Sequence, residues 1–524
     1  MPYSLLLMKK NKSYKILLGF IVVVIISIFV VNTFILPKAI RKQFRHAKIG
    51  ALELKVDRIK THFLTQSINL TGVQLSDSIQ EFTLNIEKIR FRKIGITTLI
   101  LNRRIETRRI IIVNPAIMMV KDYKFPSVKK KDRTKTNEPQ FLVRNIAVEN
   151  GRIDVFDSLH NEDSVFSARI GLHIKNLALN PDTAKFLYKN IGLDDLDISV
   201  NALHFYTEDD NYRVDGGLID FNTGDASLSA EDIKVVPLRD RYEVGNKAGF
   251  QTDWFDVQVQ SFLLQEIDLQ KLIADEQFFL HKIEIDGLKA EAFRDVRLPM
   301  PDKPDTKLIP DMIASIPYSM HADSLSILNA DFRYTERAEN SNAAGYVDLN
   351  ALKVLSENFT NIDSLIASPR ELHVQTNLLN RALLNATLTI SSKKFPHADR
   401  LRGQLKSMPF TAFNTMIEDG MSAKFTGGMV HRMEFDFTYN NNSSNGKLIM
   451  DYENLKMELL SRKNQRDKKL KSGVLHSLIL RETNLPADKR YREGTIYFER
   501  DKKKSTYNFW WKSILSGIKS IVAF

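Results

Sequence analysis

The closest approach to a ligand cluster in the chain is His160, followed by Glu162 and Asp163. Imidazole and carboxylate groups at such spacing are the donors that zinc and similar cations take. The trio falls in a stretch that reads as a surface turn, and the eleven histidines are otherwise scattered. There is no cysteine, which removes thiolate nucleophiles, thiolate metal sites, iron–sulfur clusters and disulfides. HExxH, Walker A, GxGxxG and GxSxG patterns are absent, so no metalloprotease, phosphate-cradling, dinucleotide-binding or serine-hydrolase motif is present. Carboxylates are plentiful but spread along the chain, with no pair set apart for acid–base work. The expectation is a non-enzyme without cofactor or metal.

The ends carry the clearest physical signals. Ile16 to Leu36 is a 21-residue uncharged run, about 30 Å as a helix and enough to cross a bilayer core. Lys9, Lys10, Lys12 and Lys15 before it resemble the start of a signal peptide. The run is longer than a secretory core, however, and bulky Phe34, Ile35, Leu36 and Pro37 follow where a small-residue cleavage site would lie. An uncleaved anchor is expected over 16–36, with residues 1–15 as a short cytoplasmic tail. At the other end, Asn508 to Phe524 reads as an amphipathic helix. Trp510, Trp511, Ile514 and Ile518 gather on one side with Leu515, Ile521 and Val522; Lys512, Ser513, Ser516, Lys519 and Ser520 gather on the other. Its length, tryptophans and lysines suit a membrane interface, and the Lys502–Lys504 run adds to this. Capping the open end of a sheet at strand Gly494–Glu499 is the competing role.

A net charge of +12 suggests nucleic acid until it is located. Residues 1–50 and 461–524 together hold +19, leaving 51–460 about seven negative. The basic residues therefore flank the membrane-like ends, where each contributes roughly 1 kcal/mol toward an anionic leaflet. Nucleic acid is disfavoured. Ser461–Lys471 and Lys121–Lys135 read as solvated, charge-rich connectors.

Between the ends the pattern is strand-like. Phe82, Leu84 and Ile86 alternate with polar residues, as do Phe435, Phe437 and Tyr439 and the stretch Phe255, Val257, Val259, Ser261, Leu263. Period two with one apolar face marks half-buried strands. Asn150-Gly151, Asp215-Gly216 and Asp286-Gly287 are read as hairpin turns. Four segments can be superposed: Arg108–Asp122, Arg144–Ser158, His281–Asp295 and Asp323–Arg337. Ile110, Ile146, Ile283 and Leu325 share a position, and Asn114, Asn150, Gly287 and Asn329 follow four residues later as a tight turn between two strands. Helices are expected only at Asp182–Leu187 and Pro409–Glu418. With so few, the sheet must bury its apolar face as a sandwich or curl into a trough, and composition leaves both open.

Several segments together resemble the AsmA-like family of bacterial envelope proteins, in a form associated with Bacteroidota. They are the anchor followed by ILPKAIRKQF, LTGVQLSD (Leu70–Asp77), Asn114-Pro115-Ala116-Ile117, DASLSAEDIKVVPL (Asp225–Leu238), YSMHADSLSILNADFRYTE (Tyr318–Glu336) and, most tellingly, Met429–Leu460. The resemblance covers nearly the whole chain through short motifs. It implies a single inner-membrane anchor and a periplasmic body, an elongated, curled antiparallel β-groove similar to the bridge-like lipid transfer proteins TamB and YhdP, and phospholipid moving toward the outer membrane. An acyl lipid, the membrane and an envelope protein are the partners so implied. The domain reading is anchor 16–36, β-groove 37–460, basic loop 461–488, and terminal strand with amphipathic helix 489–524. Phe255, Val257, Val259, Leu263, Phe435 and Phe437 are the candidate groove lining. The alternative is an envelope scaffold or assembly factor with a packed, lipid-free interior.

Overall fold

In a computed structural model the described residues are 47–49, 52–62, 65–95, 104–124, 140–158, 163–179, 186–188, 191–302, 304–339, 341, 343–392, 399–421, 423–459 and 480–523. The anchor Ile16–Leu36, the tail before it, His160 with Glu162, and Ser461–Lys471 lie outside them. The protein is mainly β, with a short C-terminal helix, and divides into two compact units: residues 1–208, 214–231 and 268–275 form one, and residues 209–213, 232–267 and 276–524 form the other.

In the first unit, β1 (Ala47–Ile49), β2 (Leu52–His62), β3 (Ser67–Ser76), β4 (Phe82–Ile94) and β5 (Arg104–Val120) pair in succession, each antiparallel to the last. β6 (Gln140–Phe156) joins β5 in parallel; β7 (Ser164–Leu179) and β10 (Asp195–Tyr206) follow antiparallel. The short β8 (Phe186–Tyr188) and β9 (Ile191–Leu193) pair beside β7. β8 occupies the end of the segment expected to be helical. β11 (Tyr212–Asn222) and β12 (Ser227–Pro237) come next in the chain.

In the second unit, β13 (Asp253–Gln265) is antiparallel to β14 (Phe278–Asp295), and β14 is parallel to β15 (Met320–Arg337). From there the order is antiparallel through β16 (Gly345–Thr360), β17 (Arg370–Leu378), β18 (Ala382–Ile390), β19 (Asp399–Leu405), β21 (Ala423–Tyr439), β22 (Ser443–Leu459) and β23 (Gly494–Glu499). A two-residue β20 (Met408–Pro409) adds to β21. In neither unit does a described pairing return the last strand to the first.

The long strands correct the hairpin reading. Asn150-Gly151, Asp215-Gly216 and Asp286-Gly287 lie inside β6, β11 and β14. A two-residue hairpin turn of the favoured kind needs two successive left-handed residues, as at Leu379 and Asn380 (φ 52° each) between β17 and β18. Asn114, Asn150, Gly287 and Asn329 are single left-handed residues (φ 50°, 54°, 65° and 50°) in the middle of strands of 17 or 18 residues. The superposed segments are nevertheless structural equivalents. In the two parallel pairs Ile110 stands opposite Ile146, and Ile283 opposite Leu325.

A single left-handed residue slips the in–out alternation by one, as a bulge does, and bends the strand. In β5, Ile110 and Ile112 are buried before Asn114, and Pro115, Ile117 and Met119 after it; β6 changes from Ile146 and Val148 to Ile153 and Val155. Both arms of each strand therefore turn apolar residues to one side, and in the first unit they join a single packed cluster. Polar side chains bridge the crease on the other side: Asn114 Nδ2 donates to Glu87, and Asn150 Nδ2 to Asn114 Oδ1 (3.3 Å). In the second unit Asn329 Nδ2 donates to Asp286 Oδ1 (2.7 Å).

A β-branched residue in a crease position is expected to be costly. Gly287→Val meets both the left-handed φ, at roughly 1–2 kcal/mol, and a Cβ that would sit 2.7 Å from Gln260 Cβ. Urea denaturation should show a loss of about 2–3 kcal/mol, against less than about 0.5 kcal/mol for Asn329→Gly, where glycine tolerates the same φ. An unshifted midpoint for Gly287→Val would contradict the crease.

Candidate functional site

Among the described residues no cluster of His, Asp or Glu is placed to hold a metal, and the candidate site is a surface. In the second unit, cross-strand partners on one face read as apolar rows, since directly opposed residues share a face. Phe255, Ala292, Tyr334 and Val347 form one row across β13 to β16, and Val257, Ala290, Phe332 and Leu349 the next. Beyond the crease the rows continue as Phe262, Ile285, Ile327 and Val354. Phe255, Val257 and Val259, three of the expected lining residues, are half-buried and belong to neither packed cluster. Leu263 departs from that expectation. It stands opposite Glu284, whereas Phe262 and Leu264 oppose Ile285 and Ile283. The alternation slips where Gln260 meets the left-handed Gly287, so simple period-two counting from Phe255 chooses the wrong neighbour.

One end of this face is closed by charge. Arg294 donates to both Asp253 oxygens at 2.7 and 2.6 Å, with side chains only 13% and 10% exposed. Burial is the largest single influence and opposes the guanidinium charge, but the bidentate bond and charge of Asp253, with Tyr334 and Glu336, together outweigh it and raise the pKa. Tyr334 donates to Glu336 (2.7 Å), and burial with the Glu336 charge pushes its hydroxyl pKa up. The opposite face of the same strands carries Trp254 and Phe293 at one end, under Tyr242, and is otherwise largely polar, with a hollow of about 310 Å³ lined by Asp256, Gln258, Lys289, Asp331, Arg333 and Asp348 among others.

Toward β23 the apolar face is covered. Phe435 and Phe437 are 5% and 1% exposed, inside a cluster with Leu401, Leu405, Met433, Leu448 and Met450. They are packed core on this face, under the C-terminal chain and short helices, and only Phe435 also borders the hollow on the other side of the sheet. Phe437 meets Tyr439, and Tyr439 meets Phe509 and Trp510 edge-on at 5.9 Å each. The helices are α1 (Arg241–Ala248), α2 (Leu269–Asp275, in the first unit), α3 (Ile309–Ala314), α4 (Asn414–Met421) and α5 (Thr506–Val522). Only α4 and α5 fall where helices were expected. The others had local signals: Asp240 and Glu243 form a capping box with Gly249 at the C-terminus of α1, and Pro310 marks the start of α3.

α5 lies on the sheet with a face that overlaps the expected one but is rotated from it: Ile521 is buried and Trp510, Ile514, Ile518 and Val522 pack against the cluster. Phe509, Ser513, Gly517 and Ile521 are buried, whereas Trp510, Trp511, Ile514 and Ile518 are half-buried. The serine stripe, read from sequence as the wet side, satisfies the free edge of β23. Ser516 Oγ accepts from Tyr497 N (3.1 Å) and Ser520 Oγ from Thr495 N (2.9 Å), while Ser513 bonds Ser444 (2.8 Å). Gly517 against Gly494 permits this approach, since a Cβ on Gly494 would lie 2.5 Å from Gly517 O. Capping an edge strand is thus the role the structure gives the helix. The basic run before it is engaged too: Lys503 pairs with Asp305 (3.3 Å), and Lys502 O accepts from Thr306 N (2.8 Å).

No family model and no curated protein matches this chain. The functional reading therefore stands on the residues themselves.

Truncation should separate the covered and open parts of the face. Phe437→Ala is expected to cost about 3–5 kcal/mol and Val257→Ala less than about 1 kcal/mol in chemical denaturation. Equal losses would mean that β13 is as tightly packed as β21.

Proposed function

We propose that this chain is a membrane-anchored periplasmic protein of the AsmA-like type that binds phospholipid on an apolar β-groove and moves it toward the outer membrane. The supporting observation is the largely half-buried apolar face of β13 to β16, continuous across four strands, whose β13 residues Phe255, Val257 and Val259 belong to neither packed cluster and whose β16 end, at Val347, meets the second. Each methylene kept from water is worth about 0.8 kcal/mol, so an acyl chain lying along such a face avoids most of the penalty of crossing an aqueous gap. The creased strands supply the curl of a groove, and the phosphate head stays in water at the rim. The transfer involves no chemical step. In this reading Ile16–Leu36 holds the chain in the inner membrane.

A scaffold is the second reading, and the two filled clusters favour it. The first unit buries residues from both arms of its creased strands, and the second is packed from β18 to β23. The open face is therefore a limited stretch of the second unit, which suits a few bound chains better than an uninterrupted file of them.

Native mass spectrometry with lipid extraction discriminates the two. The sample is the chain from Ala47 to Phe524 expressed in a periplasm, kept to its C-terminus because β23 and α5 complete the second cluster. Co-purifying phospholipid is expected, and Val257→Asp should abolish it with little unfolding. A lipid-free, cooperatively folded protein would exclude the groove and leave the scaffold.

A further inference from the structure

Among the described residues, the apolar face that is half-buried at β13–β16 runs without a break into the packed cluster at β18–β23. Leu349 opposes Leu378 and Val354 opposes Val374; then come Ala382, Ala386 and Leu388, and Leu401 and Leu405 beyond. One covering piece comes from the connection between the parallel strands β14 and β15. Its Leu308 and Ile313 are buried in the cluster, with Ile309 and Ile316 against it. The other is α5.

Besides sharing the apolar cluster, these two pieces are tied to each other by polar contacts. Thr306 N donates to Lys502 O (2.8 Å), Thr306 Oγ1 to the carbonyls of Lys502 (3.0 Å) and Lys504, and Thr506 Oγ1 to Lys307 O (3.2 Å). Lys503 pairs with Asp305, and Arg500 donates to Thr306 O. Arg500 is only 7% exposed, yet its described hydrogen bonds go to uncharged oxygens of Asn441 and Thr306. The seat of α5 also holds two buried guanidinium nitrogens that lack a partner among the described residues, Arg481 Nη1 and Arg500 Nε. Arg500 lies over the Phe509 ring, Arg481 N donates to Val522 O, and the Trp510 indole N–H faces the Tyr439 hydroxyl oxygen. A buried donor without a partner penalises the state that buries it, so the seated position of α5 carries an opposing load that a purely apolar lid would not.

We propose that the Val296–Ser319 connection and α5 form a releasable plug, which acyl chains spreading from the β13–β16 face displace. This rests on the lipid-binding reading. Release would uncover the strands from β18 to β23 as a continuation of the same apolar face, and the polar ties would be replaced by water.

The absence of native cysteine makes a cross-link test clean. Thr306→Cys with Lys502→Cys, in the full chain, places thiols on two residues joined by a backbone hydrogen bond, to be closed by oxidation or a short bis-maleimide. Transfer of a fluorescent phosphatidylglycerol between vesicles is measured for the linked and unlinked forms and for each single variant. Linking is expected to slow transfer at least about tenfold, with reductant restoring the disulfide form, while lipid still binds. Equal transfer by linked and unlinked forms, both binding lipid, would overturn the plug and leave the lipid reading intact. No lipid bound by any form, the unmodified chain included, would remove both. Hydrogen exchange on the unmodified chain guards against a variant that does not fold. Amides of α5 and of Leu308–Ile316 should exchange about tenfold faster with phosphatidylglycerol vesicles present, and unchanged exchange would overturn the plug independently.

Discussion

The second unit and the first depend alike on one backbone constraint, the left-handed residue in the middle of a long strand. A strand of 17 or 18 residues with strict alternation is flat and points one arm's side chains wherever the other's go. Inserting one residue at positive φ slips the alternation and bends the strand together. Asn114, Asn150, Gly287 and Asn329 do this in β5, β6, β14 and β15. Asparagine and glycine suit the position because their steric penalty there is small, and the asparagine amides also bind the neighbouring strand's crease, as Asn150 binds Asn114.

The crease alone does not decide whether the enclosed face is filled. In the first unit the two arms of each strand contribute to one cluster, with Ile112 and Ile146 fully buried. In the second unit the outcome changes along the sheet. From β18 onward the face lies under short helices and the terminal chain. At β13 to β16 Phe255, Val257 and Val259 stay half-buried. A polar face lies behind the same strands, and behind β17 to β22 it holds a wider hollow of about 800 Å³ edged by His373, Gln375, Asn385, Arg402 and Gln404. Its rungs, such as Gln375 to Asn385 and Gln404 to Glu434, are satisfied across the strands, which suits a solvated surface.

Much of this was legible in the residues. Alternation located β4, β13 and β21, and Phe82, Leu84 and Ile86 are each 3% exposed, as a buried strand face requires. The superposition of four segments aligned residues that stand opposite one another in two strand pairs, but as hairpins in an antiparallel series, whereas both pairs are parallel. The Asn-Gly and Asp-Gly signals do not say how many residues adopt positive φ: one does at Asn150 and at Gly287, and none at Asp215-Gly216. Which apolar face is covered was not legible: Val257 and Phe437 sit in equally regular alternation, and the difference lies in chain remote in sequence. The same holds for the serines of α5, whose partners on β23 no helical wheel reveals. The membrane anchor, its orientation and the lipid itself rest on sequence and resemblance.

The central claim is that the β13–β16 face holds acyl chains. Photo-cross-linking in living cells tests it most directly, with a photoreactive residue placed singly at Val257, at Gln258 on the opposite face, and at the buried Phe437. Phospholipid adducts from Val257 and none from Gln258 are the expected result, with adducts from Phe437 only to the extent that the covering pieces are displaced. Adducts at equal yield from Gln258, or none from Val257 in a folded protein, would contradict it.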